Sequence, residues 1–214
     1  MMGEVDIGET DTMRDHWWWR PGWHIGRSGY TWHVTFADNA AVGDLAAAHA
    51  DLLAELPMLD PVPLQWLHLT TQGIGFTNEV TDEDLARIVA AARDRCAALT
   101  PVAATFGPAA WDPEGVYLPV TPHEPLARVR HALRAAIADV WSLDRVPEAD
   151  DDFRPHVTIG YSNSNGPADP VRAAVANREL PSTTTTLGSV SLLRLHRDHR
   201  IYQWTTVATV VLGG

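Results

Sequence analysis

The sequence has 214 residues, 45% hydrophobic and 20% charged, the profile of an ordinary folded chain with a sizeable core rather than a disordered or collagenous one. Its net charge of −11 opposes general binding to duplex DNA or an anionic membrane, because both need clustered positive charge. All 16 basic residues are arginine, which excludes chemistry that needs a lysine, including the P-loop phosphate grip, Schiff bases and lysyl-nucleotide intermediates.

Residues 1–28 read as an arm. Its acidic start lacks the basic and apolar stretches of a signal peptide, and no run of the chain reaches the roughly 18 apolar residues of a membrane helix. Cys96 is the sole cysteine, so no intrachain disulfide and no cysteine zinc cluster forms. A cytoplasmic monomer is the expectation. The segment Asp15-His16-Trp17-Trp18-Trp19-Arg20-Pro21-Gly22-Trp23 offers indoles to pack over the remaining chain, or to stack on a base while Arg20 pairs with a phosphate.

From Gly29, Tyr30, Trp32, Val34 and Phe36 alternate with Thr31, His33 and Thr35, which predicts a half-buried strand. Leu45, Leu52, Leu53 and Leu56 mark an alanine-rich helix that Pro57 stops. Leu64 to Thr71 reads as a strand, and the glycine-rich QGIGFTNEV after it as a loop. Thr81 caps a helix that opens with Asp82-Glu83-Asp84 and runs to about Ala98. Val102 to Phe106 is a short strand. GVYLPVTP, from Gly115 to Pro122, repeats the strand signal, and a helix follows from about His123 to Leu143 with Leu126, Val129, Leu133 and Ile137 as its buried stripe. RPHVTIGY is the matching strand. A helix near Asp169 to Asn177 precedes β-rich runs at Thr183 to Leu195 and Arg200 to Leu212, joined by the polar turn His196 to His199.

This order is a repeat. Gly29 set against Gly115 aligns GYTWHVTF with GVYLPVTP, and the next His-x-Thr follows 39 residues on in the first copy and 41 in the second. The expectation is an α+β, bilobal domain over 29–214. Two pseudo-symmetric α/β lobes, about 29–107 and 115–195 with a C-terminal strand at 200–212, carry antiparallel sheets facing a central cleft, with helices outside.

Each second strand carries His-x-Thr: His68-Leu69-Thr70 and His156-Val157-Thr158. Residues two apart share a strand face, so each His and Thr point together while Leu67, Leu69, Val157 and Ile159 point to the helix-covered side. Two such pairs converging on a cleft suit phosphodiester chemistry without a metal or cofactor. One neutral imidazole takes a proton from the attacking oxygen and the other, protonated, gives one to the leaving oxygen. Each Thr hydroxyl donates to a phosphate oxygen.

With HLTT and HVTIGY in matching contexts 88 residues apart, the chain resembles the 2H phosphoesterase superfamily of 2′,5′ RNA ligase-like and cyclic phosphodiesterase proteins. The resemblance implies catalytic roles for His68, His156, Thr70 and Thr158. It also implies a nucleotide or RNA terminus as substrate, opened at a 2′,3′-cyclic phosphate or a 2′,5′ linkage without ATP, with 2′,5′ ligation as the reverse. Many relatives carry a basic residue shortly after the second motif. This chain has Gly160-Tyr161 there, which makes Tyr161 and Arg154, on the parity of His156, candidates for the substrate grip. A nucleotide- or RNA-end-binding protein with little turnover is the alternative, and an interaction protein using the tryptophan-rich arm is another.

The remaining candidates belong to the same inferred cleft. His33, in a third His-x-Thr that by pattern alone could replace either member of the catalytic pair, falls opposite Pro119 in the repeat and reads instead as a structural residue or a substrate contact. Phe76 could stack on a base, and Tyr117 lies on the cleft face. His196-Arg197-Asp198-His199 and Asp150-Asp151-Asp152 read as solvated loops rather than metal sites.

Overall fold

The computed structural model describes residues 11–148 and 153–213. After the two-residue strand β1 (Thr12–Met13), the predicted alternation appears as β2 (Gly29–Thr35), with Trp32 and Val34 buried. The alanine-rich helix is broken into α1 (Ala40–Ala47) and α2 (Ala50–Ala54). His49 causes the break: its buried Nδ1 donates to the Leu45 carbonyl, the acceptor its own amide would take in a continuous helix, and that amide bonds Ala46 instead.

A short β3 (Leu59–Pro61) follows, and the strand expected from Leu64 starts only at β4 (His68–Phe76). Leu64–Trp66 is a 3₁₀ turn entered from Pro63. The QGIGF segment, expected as loop, is instead the second half of β4, because β2 supplies a ladder for it: Gly73 pairs with Thr31, Gly75 with Tyr30 and Phe76 with Gly29. Next come α3 (Asp82–Ala97), β5 (Val102–Phe106), β6 (Ala110–Asp112), β7 (Gly115–Thr121), α4 (His123–Trp141) and β8 (His156–Ser162). Thr81 caps α3 by accepting from the Asp84 amide at 3.1 Å. The chain ends with β9 (Gly166–Pro167), α5 (Asp169–Ala176), β10 (Thr183–Leu187), β11 (Ser189–His196) and β12 (Gln203–Val211).

The strands form two antiparallel sheets that exchange members between the halves of the sequence. One runs β12-β11-β2-β4; the other runs β10-β5-β7-β8-β3, with β6 also on β7, and β1 pairs separately with β9. The units 29–107 and 115–195 therefore do not coincide with the sheets: β3 and β5 of the first half join the second sheet, and β11 and β12 complete the first. The physical reason is edge satisfaction, since β2 needs a partner on each side and the C-terminal hairpin supplies the one that β4 does not.

Helices α3 and α4 pack against each other, and Leu85, Ile88, Val89 and Ala92 on one and Leu126, Val129, Leu133 and Ile137 on the other are buried. A two-pronged Arg95–Asp139 pair and a Trp141 Nε1–Asp84 bond of 3.0 Å tie them at the surface. Leu67, Leu69, Val157 and Ile159 are at most 1% exposed, each contributing on the order of 2 kcal/mol by burial. The motif strands are thus fixed from behind. Among the described residues no helix is long and apolar enough to cross a membrane.

Candidate active site

The two motif strands are built alike. In β4, His68 stands opposite Thr35 and Thr70 opposite His33; in β8, His156 stands opposite Pro119 and Thr158 opposite Tyr117. In both, the register shifts immediately after the Thr, leaving Thr71 and Ile159 as extra residues. An extra residue reverses the face parity beyond it. Tyr161 therefore joins the face of Thr158, three residues away, and its hydroxyl meets the Thr158 side chain. The same pairing corrects the sequence alignment: the counterpart of His33 is Tyr117, and Pro119 matches Thr35.

Both imidazoles are held by one device. His68 Nδ1 donates to the Trp66 carbonyl at 2.8 Å, and His156 Nδ1 to the Arg154 carbonyl at 2.6 Å. A carbonyl only accepts, so Nδ1 carries the proton in each ring and Nε2 of the neutral form keeps its lone pair. The two environments differ. His68 is buried, stacked on His33 with centroids 4.6 Å apart, and walled by Trp204 at 5.4 Å and Tyr202 at 5.7 Å. Burial pushes its pKa down to about 4, outweighing the Trp66 bond that favours the charged form, and the neighbouring His156 and His16 push the same way. His33 is held well below its ordinary range by burial and by His68, and its Nε2 shares a 3.3 Å hydrogen bond with Thr70 Oγ1. His156 is solvent-exposed, with the Tyr117 ring edge-on at 5.4 Å. Burial, then Asp112, raises the Tyr117 phenol against the opposing pull of Arg154.

The arm forms one wall. His16 stacks on Tyr161 at 4.1 Å, and its ring nitrogens reach Glu114 Oε2 at 2.9 Å and the Tyr202 hydroxyl at 3.0 Å. Glu114 also accepts from Arg14 at 2.7 Å and Arg20 at 2.6 Å. Burial raises the Glu114 pKa, but the His16 bond and the Arg20, His16 and Arg14 charges together hold it down to about 2. Burial lowers His16 despite its bond to that carboxylate. The indoles divide: Trp17 is buried between Tyr161 and Tyr202, Trp23 packs edge-on to Phe76, and Trp18 and Trp19 are exposed rather than packed.

One cavity of about 990 Å³ is bordered by all nine residues singled out from the sequence: His68, Thr70, His156, Thr158, His33, Phe76, Tyr117, Arg154 and Tyr161. Phe76 is covered by the Arg27 guanidinium, 3.5 Å above its ring. The further lining residues that escaped sequence reasoning as site residues include His16, Glu114, Arg197 and Tyr202. The turn His196 to His199, read as solvated, contains Arg197 at 3% exposure, donating to the His16 carbonyl at 2.9 Å. The period-two pattern carries a signal for it, since Leu193, Leu195 and Arg197 share the buried parity of β11. His196 and Asp198 are 3.6 Å apart, and no group of three His, Cys, Asp or Glu suited to a metal occurs among the described residues. Asp150-Asp151-Asp152 lies outside them.

A family model of the 2′-5′ RNA ligase superfamily matches residues 57–199. Among solved structures, TT0787 of Thermus thermophilus is similar at 20% identity and a TM-score of 0.64, over 88% of this chain and 98% of that one. E. coli LigT, crystallised with NADP+ and with 3′-AMP, is similar at 15% identity and a TM-score of 0.61, over 88% of this chain and 99% of that one. No curated protein sequence matches.

Proposed function

This chain belongs to the 2′-5′ RNA ligase superfamily, and we propose that it opens a 2′,3′-cyclic phosphate or 2′,5′ phosphodiester of a nucleotide or RNA end, with His68 and His156 as the catalytic pair. The observation that carries the reading is the paired construction: two His-x-Thr motifs at equivalent register bordering one cavity, both rings pinned through Nδ1 with Nε2 left for chemistry. The nucleotides in the LigT crystals agree with such a substrate.

On a 2′,3′-cyclic phosphate His68, kept neutral by burial, is the base: its Nε2 takes a proton from water as the water oxygen bonds to phosphorus. The bond from phosphorus to the ribose 3′-oxygen breaks, and that oxygen receives a proton from His156, the exposed member of the pair. The product is the 2′-phosphate. Thr70 and Thr158 donate to the non-bridging oxygens, where charge builds in the transition state. His33, stacked on His68 and bonded to Thr70, is a positioning residue for both. With a ribose 5′-hydroxyl in place of water, the same step with the same roles joins two ends in a 2′,5′ linkage without ATP; in its reversal the 3′-hydroxyl attacks phosphorus, the bond to the 5′-oxygen breaks, and the roles of His68 and His156 exchange.

The test is turnover of the four nucleoside 2′,3′-cyclic phosphates in EDTA, with the product isomer identified. Conversion to 2′-phosphates is expected, reduced roughly 10²–10⁴-fold in His68→Ala and in His156→Ala. Loss of wild-type activity in chelator, or activity that survives both substitutions, would overturn the mechanism.

A further inference from the structure

The reacting phosphate, in the proposed reaction, is met by two imidazoles and two hydroxyls, and none of these accounts for the cationic wall beside them. Arg197 is 3% exposed. Its Nη2 donates to the His16 carbonyl, while Nη1 is buried without a hydrogen-bond partner. Among the described residues no carboxylate lies within ion-pair distance of it: the nearby Glu114 is occupied by Arg14, Arg20 and His16. Arg20, on the same cavity, likewise has a buried Nε with no partner. Arg14 and Arg20 already pair with that carboxylate, and Arg197, the most buried of the three arginines, has no ion-pair partner among the described residues. A desolvated cation is costly unless an anion completes it.

The position of Arg197 indicates which anion. Its guanidinium carbon lies 5.5 Å from the centroid of the Tyr202 ring, which is in turn 5.7 Å from that of His68. Arg197 and the proposed base thus both stand at the Tyr202 ring, which puts the charge near the reacting phosphate of the proposed reaction, whose own donors are already named. Trp17, 5.4 Å from the same guanidinium, backs it with a π face and keeps water away.

We propose that Arg197 and Arg20 form a second anion subsite, which takes a phosphate of the substrate other than the one being opened. This rests on the proposed phosphodiesterase reading and narrows it: the preferred substrate is a 2′,3′-cyclic phosphate that also bears a 5′-phosphate, a doubly phosphorylated nucleotide or the end of an oligonucleotide. Arginine suits this task because its fork gives two parallel donors to a phosphate, and hydrogen bonds to charged groups are the strong ones.

The experiment compares kcat/KM for adenosine 2′,3′-cyclic phosphate with that for its 5′-phosphorylated form, in the wild type, Arg197→Gln and Arg20→Gln. The wild type is expected to prefer the 5′-phosphorylated substrate by at least about tenfold, mainly through KM. That ratio should fall toward one in Arg197→Gln and fall partly in Arg20→Gln, whose side chain is 38% exposed and whose replacement leaves the buried wall in place. Equal wild-type rates on the two substrates overturn the subsite. So does an Arg197→Gln variant that slows both by the same factor, which would put Arg197 on the reacting phosphate. If neither substrate turns over, the phosphodiesterase reading fails separately. Calorimetric binding of the two compounds then decides the subsite: tighter binding of the 5′-phosphorylated form that Arg197→Gln abolishes supports it, and no difference refutes it.

Discussion

Acidifying the protein from pH 6.5 toward about 5 favours the unfolded chain, whose solvated imidazoles take protons that the buried ones refuse. His68 titrates near 6.5 when unfolded and near 4 when folded. Between those values the unfolded chain binds a proton that the native state refuses, so stability falls as pH falls. His68 contributes a slope approaching about 1.4 kcal/mol per pH unit, and its full interval amounts to about 3 kcal/mol. His33 and His16 are lowered too and act with the same sign. Glu114, held near 2 against an ordinary 4.5, has its stabilising effect intact until the pH drops below that ordinary value, so the window above it belongs to the histidines. Urea unfolding at closely spaced pH values, on the wild type and on His68→Gln, measures the effect. The variant should lose stability more slowly on acidification, by roughly 1 kcal/mol per pH unit. Parallel curves through the window would refute the claim that His68 is neutral because it is buried.

Removing one proposed phosphate donor, in Thr70→Val or Thr158→Val, should lower kcat on a cyclic phosphate by about 10²-fold, read by steady-state kinetics. Trp17→Ala empties a site that is 7% exposed between Tyr161 and Tyr202 and should cost about 3–5 kcal/mol in chemical denaturation. In Gly115→Ala the new Cβ would press on the Gly160 carbonyl oxygen, closer than a real contact permits. It would push β7 from β8 at the register shift that orients Thr158 and Tyr161, so both stability and turnover should drop, whereas Gly166→Ala, in open space, should change neither.

Local pattern carried much of this protein. Period-two alternation marked β2, β7 and the motif strands, helical spacing marked α3 and α4, and two His-x-Thr triplets in repeated surroundings gave the face on which His68, Thr70, His156 and Thr158 stand. These features are legible because a side chain's facing follows from the backbone repeat of its own segment. The exchange of β3, β5, β11 and β12 between sheets was not, because strand partners are chosen by edges far away in sequence. Tertiary pairing also placed the extra residues at Thr71 and Ile159, which moved Tyr161 onto the cavity face and matched His33 with Tyr117. The arm's wall is still more remote from any local signal: His16 meets Glu114 across 98 positions and Arg197 meets His16 across 181. Sequence named the imidazoles, whereas the buried neutral state of His68 and the burial of the Arg197 charge depend on desolvation, a property summed over everything the fold packs around a group.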